Sequence, residues 1–152
     1  MKALIKLLFV FAAATFGINA SAADRGTPEE AVAMVKKVIE YMKANGTEKA
    51  IAEVNNVQGQ FRDRDLYVTI NDLNAKTLAH GANVRMQGRN LIDLKDADGK
   101  FFMRERMELA RTKGKGWQDY KFVNPETKQI ESKSMYFERV GDLIVNCGVY
   151  KQ

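Results

Sequence analysis

The chain is poor in the residues that metal and thiol chemistry need. It has one cysteine, Cys147, and one histidine, His80, in 152 residues. A lone cysteine excludes an internal disulfide even in an oxidising compartment. Flanked by Val145 and Val149 in an apolar run, Cys147 reads as a small buried hydrophobe rather than a nucleophile. One histidine and one cysteine do not make a zinc site of nitrogen and sulfur ligands. No serine sits in a Gly-x-Ser-x-Gly elbow, so a nucleophilic triad does not assemble. Charge of one sign is lacking too. Without Lys2 and Lys6, 22 basic residues face 19 acidic ones, too even and too dispersed for a nucleic-acid stripe.

Long hydrophobic runs are also missing, except at the start. MKALIKLLFVFAAATFGINASAAD places Lys2 and Lys6 before an apolar stretch from Leu7 to Phe16, then the small residues Ala20-Ser21-Ala22. A span needs roughly twenty apolar residues, so this shorter run is expected to be an export signal, residues 1–22, cut after Ala22. No cysteine stands at the cut to carry a lipid. The remainder, residues 23–152, is long enough for one domain with one core and is expected to be soluble, without a membrane span.

Two segments imitate known sites. LKDADGKFFMRE sets Asp96, Asp98, Gly99 and Glu105 at positions three, five, six and twelve of a calcium loop. Position one is Leu94, which has no ligand to offer, so an Asp-Gly turn entering a helix accounts for the same residues. Asn45-Gly46-Thr47 matches a glycosylation acceptor but reads as a helix stop followed by a helix cap.

What is present is a clear run of elements. Thr27-Pro28-Glu29-Glu30 is a helix start, and Ala31, Val35, Val38, Ile39 and Met42 follow at helical spacing. Thr47 is expected to cap a second, shorter helix. From Asp65 the period becomes two: Leu66, Val68 and Ile70 face one way, Tyr67, Thr69 and Asn71 the other. Thr77 to His80 returns as a short strand. A long connection runs from Gly81 to Gly99, and Phe101 to Lys113 is helical. Strands near 117–123, 130–140 and 143–149 finish the chain. Helices first, then five antiparallel strands with a helical crossover, predict an α+β domain with both sheet faces covered. The face beneath the connection and the central helix has room for a cavity.

The last hairpin raises a question of chemistry. GWQDYKFVNPETKQIESKSMY holds the only tryptophan, Trp117, with Tyr120, Lys133 and Tyr136. Trp117 and Tyr120 read equally as core aromatics, and alternation puts them on opposite faces unless the strand bulges near Gly114 and Gly116. His80 reads equally as a satisfied core histidine. Lys133, mid-strand between Ser132 and Ser134, needs an anion if it points into the cavity.

DLYVTINDLNAKTLAH, GRNLIDLKDADGKFF and GKGWQDYKFVNPETKQIESKSMYFERVGDLIVNCGVY together resemble the type-2 single Cache domain of bacterial chemoreceptors, sensor kinases and free-standing exported proteins. The likeness spans roughly residues 29 to 150. It departs from the family at Gly81, where a proline usually follows the histidine, and across Ala82-Asn83-Val84-Arg85-Met86 at the pocket rim. The resemblance implies a PAS-like sheet with a long N-terminal helix and a pocket on the far face for a small organic acid such as acetate, pyruvate or lactate. By matching position that pocket takes Tyr67, His80, Trp117, Tyr120, Lys133 and Tyr136. It implies no cofactor, no catalysis, a periplasmic location, and a membrane-bound receptor or kinase as partner of a free-standing form. Two other classes compete: an interaction module without a functional pocket, and an enzyme using Tyr, His and Lys on a small acid.

Overall fold

A computed structural model describes residues 25–151; the expected export signal lies outside the described residues. Helix α1 spans Pro28–Asn45 and opens on a complete capping box. The Thr27 hydroxyl accepts from the Glu30 N–H at 3.2 Å, and the Glu30 carboxylate accepts from the Thr27 N–H at 2.8 Å. Two of the first turn's orphan donors are thereby satisfied. Its buried residues are Ala31, Val35, Val38, Ile39 and Met42, one stripe at helical spacing. Gly46, at φ 92°, reverses the chain in a single residue, which a Cβ would oppose. Helix α2 (Thr47–Asn55) follows at once. Its cap position is held by Gly46 with no side-chain bond, so Thr47 is its first residue and not its cap.

The sheet is antiparallel throughout. Its strands are β1 (Arg62–Asp63), β2 (Leu66–Asp72), β3 (Thr77–His80), β4 (Lys115–Val123), β5 (Ile130–Val140) and β6 (Leu143–Tyr150). The main path runs β1-β2-β6-β5-β4, and β3 also pairs β2. The five expected strands are present, and β1 is a short sixth. It shares an edge of β2 with β3: the Val68 N–H donates to Phe61 O and the Val68 carbonyl accepts from the Gly81 N–H. Both groups of one residue point to the same edge in an antiparallel strand. A proline at 81 would lack the N–H that makes the second bond.

Period-two alternation separates two cores. Leu66, Val68, Ile70, Val145 and Cys147 pack with α1 and α2. On the other face, Met135, Phe137 and Ile144 pack with Phe102, Met103, Met107 and Ala110 of helix α3 (Phe102–Lys113). The connection 81–101 covers the rest of that face. It is stitched to β3 and the turn before it: the Thr77 N–H donates to Arg89 O, the Gly88 N–H to Thr77 O and the Leu91 N–H to Ala75 O, at 2.7–3.0 Å. The Asp-Gly turn is closed by Asp96, whose carboxylate accepts from the N–H groups of Asp98, Lys100 and Lys121. No described helix is long and apolar enough to cross a membrane.

Candidate ligand-binding site

A cavity lies between the sheet, α3 and the connection. Tyr67, Thr69 and Asn71 line it from β2, Thr77 and His80 from β3, Arg106 from α3, and Tyr120 from β4. Met86, Leu91, Phe102, Met103, Phe122 and Met135 give it apolar walls. It is narrow: the centre of a water-sized sphere has about 20 Å³ to move in. One water needs about 10–15 Å³ by the same measure, so an occupant has only a few heavy atoms.

Of the expected site residues, Tyr67, His80 and Tyr120 meet at this cavity. Lys133 lies just behind its wall, fully buried. Its Nζ sits 3.9 Å from the Tyr67 ring centroid and 4.3 Å from that of Tyr150, and donates to the Tyr150 hydroxyl at 3.2 Å. Tyr150 spends its own hydrogen on Val123 O at 2.7 Å, so Tyr67 is the donor in the 3.1 Å contact between the two hydroxyls. Among the described residues no carboxylate lies within ion-pair distance of Lys133. Burial lowers its pKa to about 7, with a further push from Arg106. Two aromatic faces and one hydroxyl are modest company for an ammonium.

Trp117 and Tyr136 are elsewhere. Strand β4 pairs with β5 in unbroken register, Trp117 opposite Tyr136 and Tyr120 opposite Lys133. With no bulge, alternation turns Trp117 and Tyr136 to the α1 face. There their rings lie 5.3 Å apart, and Tyr136 donates to Glu138 at 2.9 Å. Trp117, 40% exposed, borders a groove beside Pro28, Val32 and Ala33 of α1. These two aromatics do not reach the cavity.

His80 is held neutral. Its Nδ1 accepts from the N–H groups of Ala82 and Asn83 at 3.3 and 3.1 Å, which places its hydrogen on Nε2. Burial, then the nearby Lys133, lowers its pKa to about 4. Its ring stacks on Tyr67 at 5.1 Å.

Arg106 escaped the sequence reading. It is 2% exposed on the apolar stripe Phe102, Met103, Met107, Ala110, and that spacing was the available signal. Its Nε donates to Gln118 at 3.0 Å, and Nη1 reaches Met103 Sδ at 3.7 Å. Nη2 is buried without a partner. The guanidinium carbon lies 5.1 Å from the Tyr120 ring centroid. Gln118 in turn donates to Phe102 O and Glu105, which fixes the plane of the guanidinium. The cavity thus has one buried cation on its wall, a second behind it, and no acid among its lining residues.

A buried, cation-flanked pocket thus lies on the far face of a helix-capped antiparallel sheet, the arrangement of a Cache-type sensor domain. The chain belongs to the single Cache domain 2 family, whose profile matches residues 5–152. It is 31% identical over 90 residues to the methyl-accepting chemotaxis protein McpP of Pseudomonas putida, a match covering 58% of this chain and 16% of that protein. The fold is shared with a methyl-accepting chemotaxis protein from Vibrio parahaemolyticus (TM-score 0.67, 24% identity, 80% of this chain and 86% of that one). It is also shared with a periplasmic sensor domain of a chemotaxis protein (0.64, 22%, 82% and 90%). A third similar structure is a Cache chemosensory domain described for its carboxylic acid recognition (0.65, 22%, 82% and 88%).

Proposed function

We propose that this chain is a periplasmic, non-catalytic sensor domain that binds a small organic carboxylate. The observation that carries this is Arg106: a buried guanidinium on the cavity wall with Nη2 unpartnered and, among the described residues, no acid within ion-pair distance. A buried cation left alone is costly, and an anionic ligand removes that cost. A carboxylate fits better than a larger anion because the space is small and its walls are apolar. In this reading Arg106 takes the carboxylate. The Nε2–H of His80 and the Tyr120 hydroxyl supply further donors. Lys133 adds positive potential from behind Tyr67. The related carboxylate-recognising Cache domain and the chemoreceptor relative support the same direction. A membrane-bound receptor or kinase would read the occupied state.

The half-exposed Trp117 beside α1 favours a second reading, a protein-contact module. Thermal melts with two- to four-carbon acids at millimolar concentration decide between them. A ligand at a hundredfold its Kd stabilises the fold by about 2.7 kcal/mol, a visible shift. Arg106→Met should abolish that shift. If no acid moves the melt, or if Arg106→Met responds like the parent protein, the carboxylate reading fails.

A further inference from the structure

The cavity has room for the head of a ligand, and a larger space adjoins it. Tyr67, His80, Met86 and Phe122 line the cavity and also line an open cleft beside it. By the measure that gives the cavity about 20 Å³, the cleft has about 210 Å³. Ala82 and Asn83 of the connection border it on one side. Val123, Pro125 and Lys128, at the end of β4 and in the turn after it, border it on the other. Of the four shared residues, Tyr67 and His80 are buried, whereas Met86 and Phe122 are only half-buried. An unbranched thioether changes shape at little cost, so Met86 is the side chain that can clear the way between the two spaces.

The route is short. The Arg106 guanidinium carbon lies 5.1 Å from the Tyr120 ring centroid, and that ring lies 5.9 Å from the Phe122 ring. Phe122 is thus the next ring beyond one that Arg106 already faces, and it stands where the cavity meets the cleft. The chemistry of the cleft is apolar. The side chains of Ala82, Met86, Phe122, Val123 and Pro125 carry no hydrogen-bond donor. His80 is neutral, with Nδ1 spent on the N–H groups of Ala82 and Asn83, and Asn83 Oδ1 accepts from the Arg85 N–H. Lys128, exposed at the edge, donates to Pro125 O of its own turn. A second anion would find one solvated lysine there, whereas a hydrocarbon chain would find walls that shed water. Each methylene so buried favours binding about fourfold.

We propose that the ligand is a monocarboxylic acid with an apolar tail, its carboxylate on Arg106 and its tail passing Met86 and Phe122 into the cleft. This rests on the carboxylate reading and extends it to the other end of the ligand.

Calorimetric titration of the intact protein with acetate, hexanoate, 3-phenylpropionate and adipate tests the assignment. Hexanoate and 3-phenylpropionate should each bind at least about tenfold tighter than acetate. Adipate, which is hexanoate with a carboxylate in place of its end methyl, should lose most of that margin. Met86→Ser should shrink the margin of hexanoate over acetate to about threefold or less, and Met86→Leu should keep it. If Met86→Ser does not fold, Phe122→Thr decides in its place. Acetate binding as tightly as both tailed acids overturns the tail and leaves the carboxylate site standing. Adipate binding more tightly than hexanoate overturns the apolar assignment of the cleft in favour of a second anion. A margin that survives the substitution overturns the route past Met86 and Phe122. Failure of all four acids to bind overturns both this inference and the function it rests on.

Discussion

The stem of Lys133 crosses the sheet directly over Gly148. A Cβ built on residue 148 would stand 2.8 Å from Lys133 Cε and 2.7 Å from the Ser134 carbonyl oxygen. Contacts that short do not occur, so the lysine reaches Tyr67 and Tyr150 only because the neighbouring strand has no side chain there. Gly148→Ala should destabilise the fold by about 1–3 kcal/mol, the usual range for overpacking a core. Urea unfolding measures it. An unchanged midpoint would mean that the lysine does not take this path.

Lys133→Met should alter the pH dependence of stability. The folded-state pKa is depressed to about 7 from 10.5, so between those values the unfolded chain binds the extra proton and stability rises with pH. The slope this lysine adds approaches about 1.4 kcal/mol per pH unit well inside that window. Below pH 7 its penalty is present in full, and there the methionine variant should be the more stable protein. Urea midpoints of both proteins at pH 6.5 and 8.5 give the test. A constant difference across the two pH values would place the ammonium in water.

His80 should set part of the acid limb. Its folded pKa of about 4 lies below the usual 6.5, so stability is lost as pH falls through that interval while the unfolded chain takes up a proton. His80→Gln should flatten the decline in melting temperature between pH 6.5 and 4.5. Parallel declines in the two proteins would show that the imidazole is not held neutral.

The capping box predicts a local loss. Thr27→Ala removes the oxygen that accepts from Glu30 N–H and should cost about 1 kcal/mol in a denaturant melt. A loss under about 0.2 kcal/mol would mean that the box adds nothing to the tertiary packing of α1.

Export processing makes a separate prediction. Cleavage after Ala22, give or take one residue, should leave a mature chain starting at Ala23 or Asp24. Intact mass of the exported form decides it, and retention of residues 1–20 would sink the signal reading.

Much of the fold was legible because its signals are local. Ala31, Val35, Val38 and Met42 declare the buried stripe of α1 by spacing alone, and Leu66 to Asn71 declare two faces by strict alternation. The site was less legible because it depends on which face each strand presents. The possible bulge near Gly116 left Trp117 open to either face, and the unbroken β4–β5 register settles it on the α1 side. The same alternation counted from Ile144 would have put Asn146, Gly148 and Tyr150 on the cavity face. Arg106 was missed because an arginine in RERMELAR looks solvent-facing. Only its place among Met103, Met107 and Ala110 betrays that it is buried.

The cover over the cavity is joined to β3 by backbone bonds from Thr77 and Gly88 and to the preceding turn by one from Leu91. Lifting that cover means breaking this stitching, a local unfolding event rather than the swing of a free flap. For an occupant that leaves beneath the cover, residence time and amide-hydrogen exchange at Thr77, Gly88 and Leu91 become two readings of one clock. Weakening those bonds would shorten the memory of the site without touching any group that grips what it holds.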